Sequence, residues 1–196
     1  MTLLDIDPST TALVVVDLQN GIVAMDTKPH PSGAIVDNSV RIARALRRAG
    51  GTVILVRATI SADGGDMLAP PCDQPRPPMP ASIPADYFDL VPALAPEAGD
   101  LVVTKRQWGA FYGTDLELQL RRRGLKTLIL TGIATNFGVE STARFAFELG
   151  FEQIFVSDAI SAASEAAHDA SLAVFARMGH VRPADVVVQS IETART

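Results

Sequence analysis

Apolar positions along this chain fall into two alternating patterns. Short continuous runs mark buried strands, and stripes at helical spacing mark helices packed on one side. Thr11 to Val16 is apolar on successive residues, the mark of a strand covered on both faces, and it runs into Asp17. From Ala34 to Ala49, residues Ile35, Ile42, Ala43, Leu46 and Ala49 share a face, with Arg41, Arg44, Arg47 and Arg48 largely outside it. Gly50-Gly51 ends that helix, and Thr52 to Val56 is a second strand, completing a β-α-β unit. Leu101 to Thr104 is a short strand ending at Lys105. Thr114-x-x-Glu117 reads as a capping box for a helix with Leu116 and Leu120 inward, stopped by Gly124.

Thr127 to Leu130 predicts a further buried strand. It turns through Thr131-Gly132-Ile133-Ala134-Thr135-Asn136-Phe137-Gly138 into a helix with Val139, Ala143, Ala146, Phe147 and Leu149 on its apolar side. Thr135 or Asn136 can cap the first turn, and Gly150 stops the helix. Gln153 to Val156 predicts a strand ending at Asp158. Ser164 caps a helix to Met178, with Ala167, Ser171, Leu172 and Phe175 on one side and His168 facing the polar side. Val181 begins a last short strand, and the tail from Pro183 forms a closing helix.

One segment breaks the alternation. Nine of the 13 prolines lie between Pro70 and Pro96. Proline removes N–H donors and fixes φ, so about 61–99 reads as an irregular excursion. Tyr87, Phe88 and Leu90 give it something to bury, which favours an ordered lid or an oligomer contact. The whole of 1–196 is expected to form one domain. Strands alternating with helices predict an α/β fold, a doubly wound, mostly parallel sheet with helices on both faces.

Composition narrows the function. With 47% apolar residues the chain can build one core. Net charge is −5, with no basic cluster beyond Arg121-Arg122-Arg123 at a helix end, so nucleic acid is not the expected partner. The N-terminal apolar run is too short for a signal core or a membrane span. A single cysteine, Cys72, excludes an internal disulfide and fits a reducing, cytoplasmic setting. There is no GxGxxG after the first strand, no GxxxxGK[ST] and no GxSxG. His30, His168 and His180 lack metal-ligand spacing, so no metal and no cofactor are expected.

Three candidate groups sit at strand ends: Asp17, Lys105 and the Thr131–Gly138 corner. Ligands of open α/β sheets bind beyond those ends. A carboxylate after a buried strand is costly unless paired or used, although a capping role in the turn is the bland alternative. Gly138 costs roughly 1 kcal/mol in a helix interior, so it marks either close packing or the approach of a ligand. Arg106-Gln107-Trp108-Gly109-Ala110-Phe111-Tyr112-Gly113 joins a cation to three aromatics. It reads either as a solvated turn over a packed patch or as a pocket wall for a small anionic compound.

The segments Val14–Gly21, Val103–Gly124 and Thr131–Arg144, in this order, resemble the isochorismatase-like (cysteine hydrolase) superfamily. The resemblance covers nearly the whole chain except the proline-rich excursion. It implies a hydrolase, commonly a homo-oligomer such as a dimer or tetramer, acting on a small molecule. Asp17 is then similar to the family's acid/base aspartate and Lys105 to its active-site lysine. Ile133-Ala134 is similar to its characteristic cis peptide bond, beside the N–H groups of an oxyanion site. Gln19, Arg106, Trp108, Phe111 and Asn136 complete the expected substrate-binding set.

Two departures matter. Gly138 stands where the amidase branch carries its nucleophilic cysteine, so acyl-enzyme chemistry at that position is excluded. The vinyl-ether-cleaving branch also has glycine there, but carries a Tyr-Ala-His pattern where this chain has Ala134-Thr135-Asn136. The expectations are therefore a hydrolase of an anionic, isochorismate-like substrate using Asp17, or a catalytically inactive binding protein on the same scaffold. Lys105 would favour an ionised Asp17, whereas a general acid must hold its proton.

Overall fold

The computed structural model describes residues 2–74 and 82–194. Six strands build one sheet: β1 (Thr11–Val16), β2 (Thr52–Ala58), β3 (Leu101–Lys105), β4 (Thr127–Ile133), β5 (Glu152–Ser161) and β6 (His180–Arg182). Six helices join them: α1 (Asn20–Val23), α2 (Ser32–Arg48), α3 (Leu116–Arg122), α4 (Glu140–Glu148), α5 (Glu165–Phe175) and α6 (Ala184–Thr193). The sheet order is β3-β2-β1-β4-β5-β6, and every named pair is parallel.

All six residues of β1 are buried, because the sheet is covered on both faces. Leu13 and Val15 join a core with Ile35, Ile42 and Leu46 of α2 and with Val187 and Ile191 of α6. Val14 and Val16 point the other way, to Leu116 and Leu120 of α3, Val139, Ala143 and Ala146, and Phe175 of α5. The connection after β1 thus lies on one face and that after β4 on the other. β1 and β4 are neighbours, so a crevice opens between their carboxyl ends at the topological switch point. Gly132 closes the two strands together. A Cβ there would lie 2.0 Å from the Val16 carbonyl oxygen, and its φ is +127°.

Several local expectations change. The fifth strand does not stop at Asp158. Its pairing with β4 jumps from Leu130↔Phe155 to Gly132↔Ile160 and resumes to Ser161. Within the bulge, Asp158 Oδ1 accepts from the Ala184 N–H at the start of α6 (2.7 Å) and its carbonyl accepts from Asn38 Nδ2 (2.8 Å). Thr114 and Glu117 form no reciprocal box. The Thr114 hydroxyl accepts from Leu116 N–H and donates to the Ala110 carbonyl. Phe147 is half exposed rather than core. Ser164 does cap α5, accepting from Ala167 N–H.

The excursion expectation falls partly on 75–81, outside the described residues. On the near side of that gap, Cys72 is exposed. On the far side the chain is docked. Leu90 bridges Gln19, Asn20 N–H donates to Asp89 and Gly21 N–H to Tyr87. The Tyr87 ring rests on Gly21, where any Cβ would sit 2.3 Å from it. No helix among the described residues is long and apolar enough to cross a membrane.

Candidate active site

Asp17 leaves β1 with φ +56°, a left-handed conformation that aspartate tolerates better than most residues. Its N–H still donates to Val56 (3.0 Å), so the sheet holds its backbone while the side chain turns into the crevice. Lys105, the last residue of β3, extends across the end of β2 to meet it. Nζ donates to Asp17 Oδ2 at 2.6 Å and to the Trp108 carbonyl at 2.6 Å. Lys105 is 2% exposed and Asp17 7% exposed, so this is a buried ion pair.

The pair is asymmetric. Asp17 Oδ2 is held by the lysine, whereas Oδ1 is buried with no hydrogen-bond partner among the described residues. Burial pushes the Asp17 carboxyl above its ordinary range, outweighing the opposing charge and hydrogen bond of Lys105. Desolvation therefore opposes the lysine, and Oδ1 is the carboxyl oxygen that Lys105 leaves free.

Gly138 forms the facing wall. A Cβ there would lie 3.0 Å from Asp17 Oδ2, 3.1 Å from Val16 Cγ1 and 3.5 Å from Lys105 Nζ. The close-packing reading of Gly138 thus holds, since the glycine backbone lies directly against the pair. It belongs to a π-helical turn, Thr135–Val139, that follows the cis Ile133–Ala134 bond. Neither Thr135 nor Asn136 caps it. Ala134 occupies the cap position, and its carbonyl accepts from Phe137 and Val139 N–H. The Gly138 carbonyl accepts from the Thr142 hydroxyl (2.7 Å), which accepts from Ala110 N–H (3.1 Å). Asn136 Oδ1 is also buried without a partner among the described residues.

The other expected ligand-binding residues divide. Trp108 lies at the rim, 45% exposed, its ring 4.8 Å from Phe137. Arg106 is at the surface but engaged: Nε donates to Asp66 at 2.6 Å and Nη1 to the Thr59 hydroxyl. Gln19 is not offered to a ligand. Its amide donates to the Ala58 and Phe88 carbonyls (2.8 and 2.7 Å) and accepts from Ala58 N–H (2.8 Å). Phe111 is buried and packs with Phe145 and Phe151 in the α3/α4 layer. The aromatic loop is thus partly pocket rim and partly core.

His168 is the residue that sequence reasoning misplaced. It is 2% exposed, and its Nδ1 lies 3.1 Å from Thr135 Oγ1. Burial first, and the neighbouring His30 second, lower its pKa, so it is neutral near neutral pH. The signal was present in the spacing. His168, Ser171 and Phe175 are the buried residues of α5 and recur at helical intervals. Among the described residues no cluster of three His, Cys, Asp or Glu could hold a metal ion.

Comparisons with known proteins agree with this fold. The isochorismatase domain model matches residues 11–185. The uncharacterized isochorismatase family protein YwoC of Bacillus subtilis is 46% identical over 193 residues, 98% of this chain and 100% of that protein. A ureidoacrylate amidohydrolase, RutB of Methylobacterium radiotolerans, is 35% identical over 86% of this chain and 74% of its own length. Among solved structures, an isochorismatase family protein from Burkholderia thailandensis superposes with TM-score 0.90 at 42% identity, over 97% of this chain and 100% of that one. The N-carbamoylsarcosine amidase of Thermoplasma acidophilum superposes with TM-score 0.71 at 27% identity, over 90% of this chain and 97% of that one. With its doubly wound sheet and matching domain, the chain belongs to the isochorismatase family of hydrolases.

Proposed function

We propose that this protein hydrolyses a small anionic, isochorismate-like enol ether, with Asp17 as proton donor and no covalent intermediate. The observation that carries the reading is the buried Asp17–Lys105 pair facing a glycine at position 138. No thiol is available there, and the chain's one cysteine lies exposed in the excursion. The chemistry must therefore proceed without an acyl or thioester intermediate.

Enol-ether hydrolysis needs only a positioned acid and a water. The Asp17 carboxylic acid gives its proton to the terminal methylene carbon of the substrate, leaving an oxocarbenium ion. Water adds to the cationic carbon and loses a proton to the Asp17 carboxylate, which restores the acid. The hemiketal then collapses to pyruvate and the alcohol. Lys105 stabilises the carboxylate formed in the first step and fixes its orientation through Oδ2. Arg106 at the rim supplies a second cation for a substrate carboxylate, which must compete with Asp66 for it.

Pyruvate release from isochorismate by purified protein tests the reading. The native protein releases pyruvate, and Asp17→Asn, which preserves shape and the contact to Lys105, lowers the rate by at least a hundredfold. Absence of release by native protein, or an unimpaired Asp17→Asn variant, overturns it. Stabilisation by isochorismate without product would assign a binding role instead. The scale of that stabilisation is about 2.7 kcal/mol at a hundredfold excess over Kd.

A further inference from the structure

One face of α5 grips the Gly138 turn at both ends. His168 Nδ1 meets Thr135 Oγ1 at 3.1 Å, and three residues on, Ser171 Oγ donates to Glu140 Oε2 at 2.6 Å. Residues i and i+3 share a helix face, so one helix delivers both contacts. Thr135 is the first residue of the turn and Glu140 is the residue after its last. Gly138 therefore lies between two tie points.

The turn needs such ties. No side chain caps it, and two of its N–H groups, from Phe137 and Val139, share the Ala134 carbonyl at 3.1 and 3.2 Å. Thr135 is fully buried. Its hydroxyl and the His168 ring satisfy each other across two elements 33 residues apart. Leaving either buried group unpartnered carries a desolvation penalty, so the contact resists slippage of the turn.

We infer that His168 is a positioning residue of the site: through the Thr135 hydroxyl it holds the Thr135–Val139 turn where Gly138 meets Asp17 and Lys105. The catalytic meaning of that position rests on the proposed function. The mechanical coupling between α5 and the turn does not.

Amide hydrogen exchange on the protein without ligand reads the coupling. In His168→Leu, which keeps bulk but not the ring nitrogens, exchange at Phe137 and Val139 accelerates about tenfold or more, while β1 and β4 amides keep their protection. Thr135→Val gives the same local acceleration, and the double variant adds nothing further. His168→Asn, whose amide can reach the position of Nδ1, restores most of the protection. If native protein releases pyruvate from isochorismate, kcat falls in His168→Leu and recovers in His168→Asn.

Unchanged exchange at the turn in His168→Leu or Thr135→Val overturns the inference. So does acceleration spread evenly through the sheet, or a failure of His168→Asn to restore protection. If His168→Leu does not fold, the near-isosteric Thr135→Val decides the same point. A native protein inactive on isochorismate would overturn the proposed reaction but not the exchange result.

Discussion

At position 138 the chain offers no side chain beside the Asp17–Lys105 pair. A Cβ at Gly138 would point at Asp17 and Lys105, so little space separates this backbone from the pair. Gly138→Ala is the sharpest probe of that space. Its methyl group would lie 3.0 Å from Asp17 Oδ2 and 3.1 Å from Val16 Cγ1, close enough to need a shift of a few tenths of an ångström. Pyruvate release in this variant is expected to fall at least tenfold, with unfolding free energy changed by about 1 kcal/mol or less. Kinetics and denaturant unfolding on one preparation would separate the two. Unimpaired turnover would mean that the ligand does not use this face. Asp17 and Lys105 stood out in the sequence because each lies where a buried strand ends, and Gly138 because a glycine in a helical turn needs a reason. Their mutual distance was not, since Lys105 comes from a strand two places away from that of Asp17.

At the scale of elements, the loop after β1 is anchored by hydrogen bonds to the end of β2 and to the excursion. Gln19 belonged to the substrate-binding set that the family resemblance implied. Instead it makes three hydrogen bonds that join the end of β2 to the docked part of the excursion. Removing it as Gln19→Ala orphans the Ala58 N–H and the Ala58 and Phe88 carbonyls. The expected loss is about 2–3 kcal/mol of stability, read as a lowered denaturant midpoint at unchanged slope. No loss would return Gln19 to the ligand-binding set. Sequence periodicity located the helices well but not what their polar residues do. Thr114 satisfies a loop carbonyl rather than forming a box, and His168 turns inward. Tertiary partners decide such cases, and neighbours in sequence do not reveal them.

The whole molecule is a sheet with two apolar layers, and that much followed from alternation alone. What the pattern could not show is how polar links cross the layers: Asp158 to α6, Asn38 to β5, and α5 to the Gly138 turn. His168 gives one of these links a pH signature. Its folded-state pKa is depressed by burial and by His30. The unfolded chain therefore binds a proton more readily than the native state. The contribution of His168 to stability is full above an unfolded pKa of about 6.5 and is lost as pH falls through the lower folded value. Urea unfolding at pH 7.5 and at steps below 6.5 should show that decline, and His168→Asn should flatten it. An identical pH dependence in the variant would contradict the assignment.

The proposed reaction requires Asp17 to hold a proton despite its lysine. A group whose folded pKa is raised keeps its acid form to higher pH, so acid catalysis by Asp17 persists at low pH and fades as pH rises through that value. The direct measurement is a carbon-13 NMR titration of the Asp17 carboxyl in the ligand-free protein, assigned by its absence in Asp17→Asn. A midpoint clearly above the ordinary aspartate value of about 3.9 is the predicted result. A midpoint at or below that value would mean that Lys105 wins over burial, leaving Asp17 without a proton to donate.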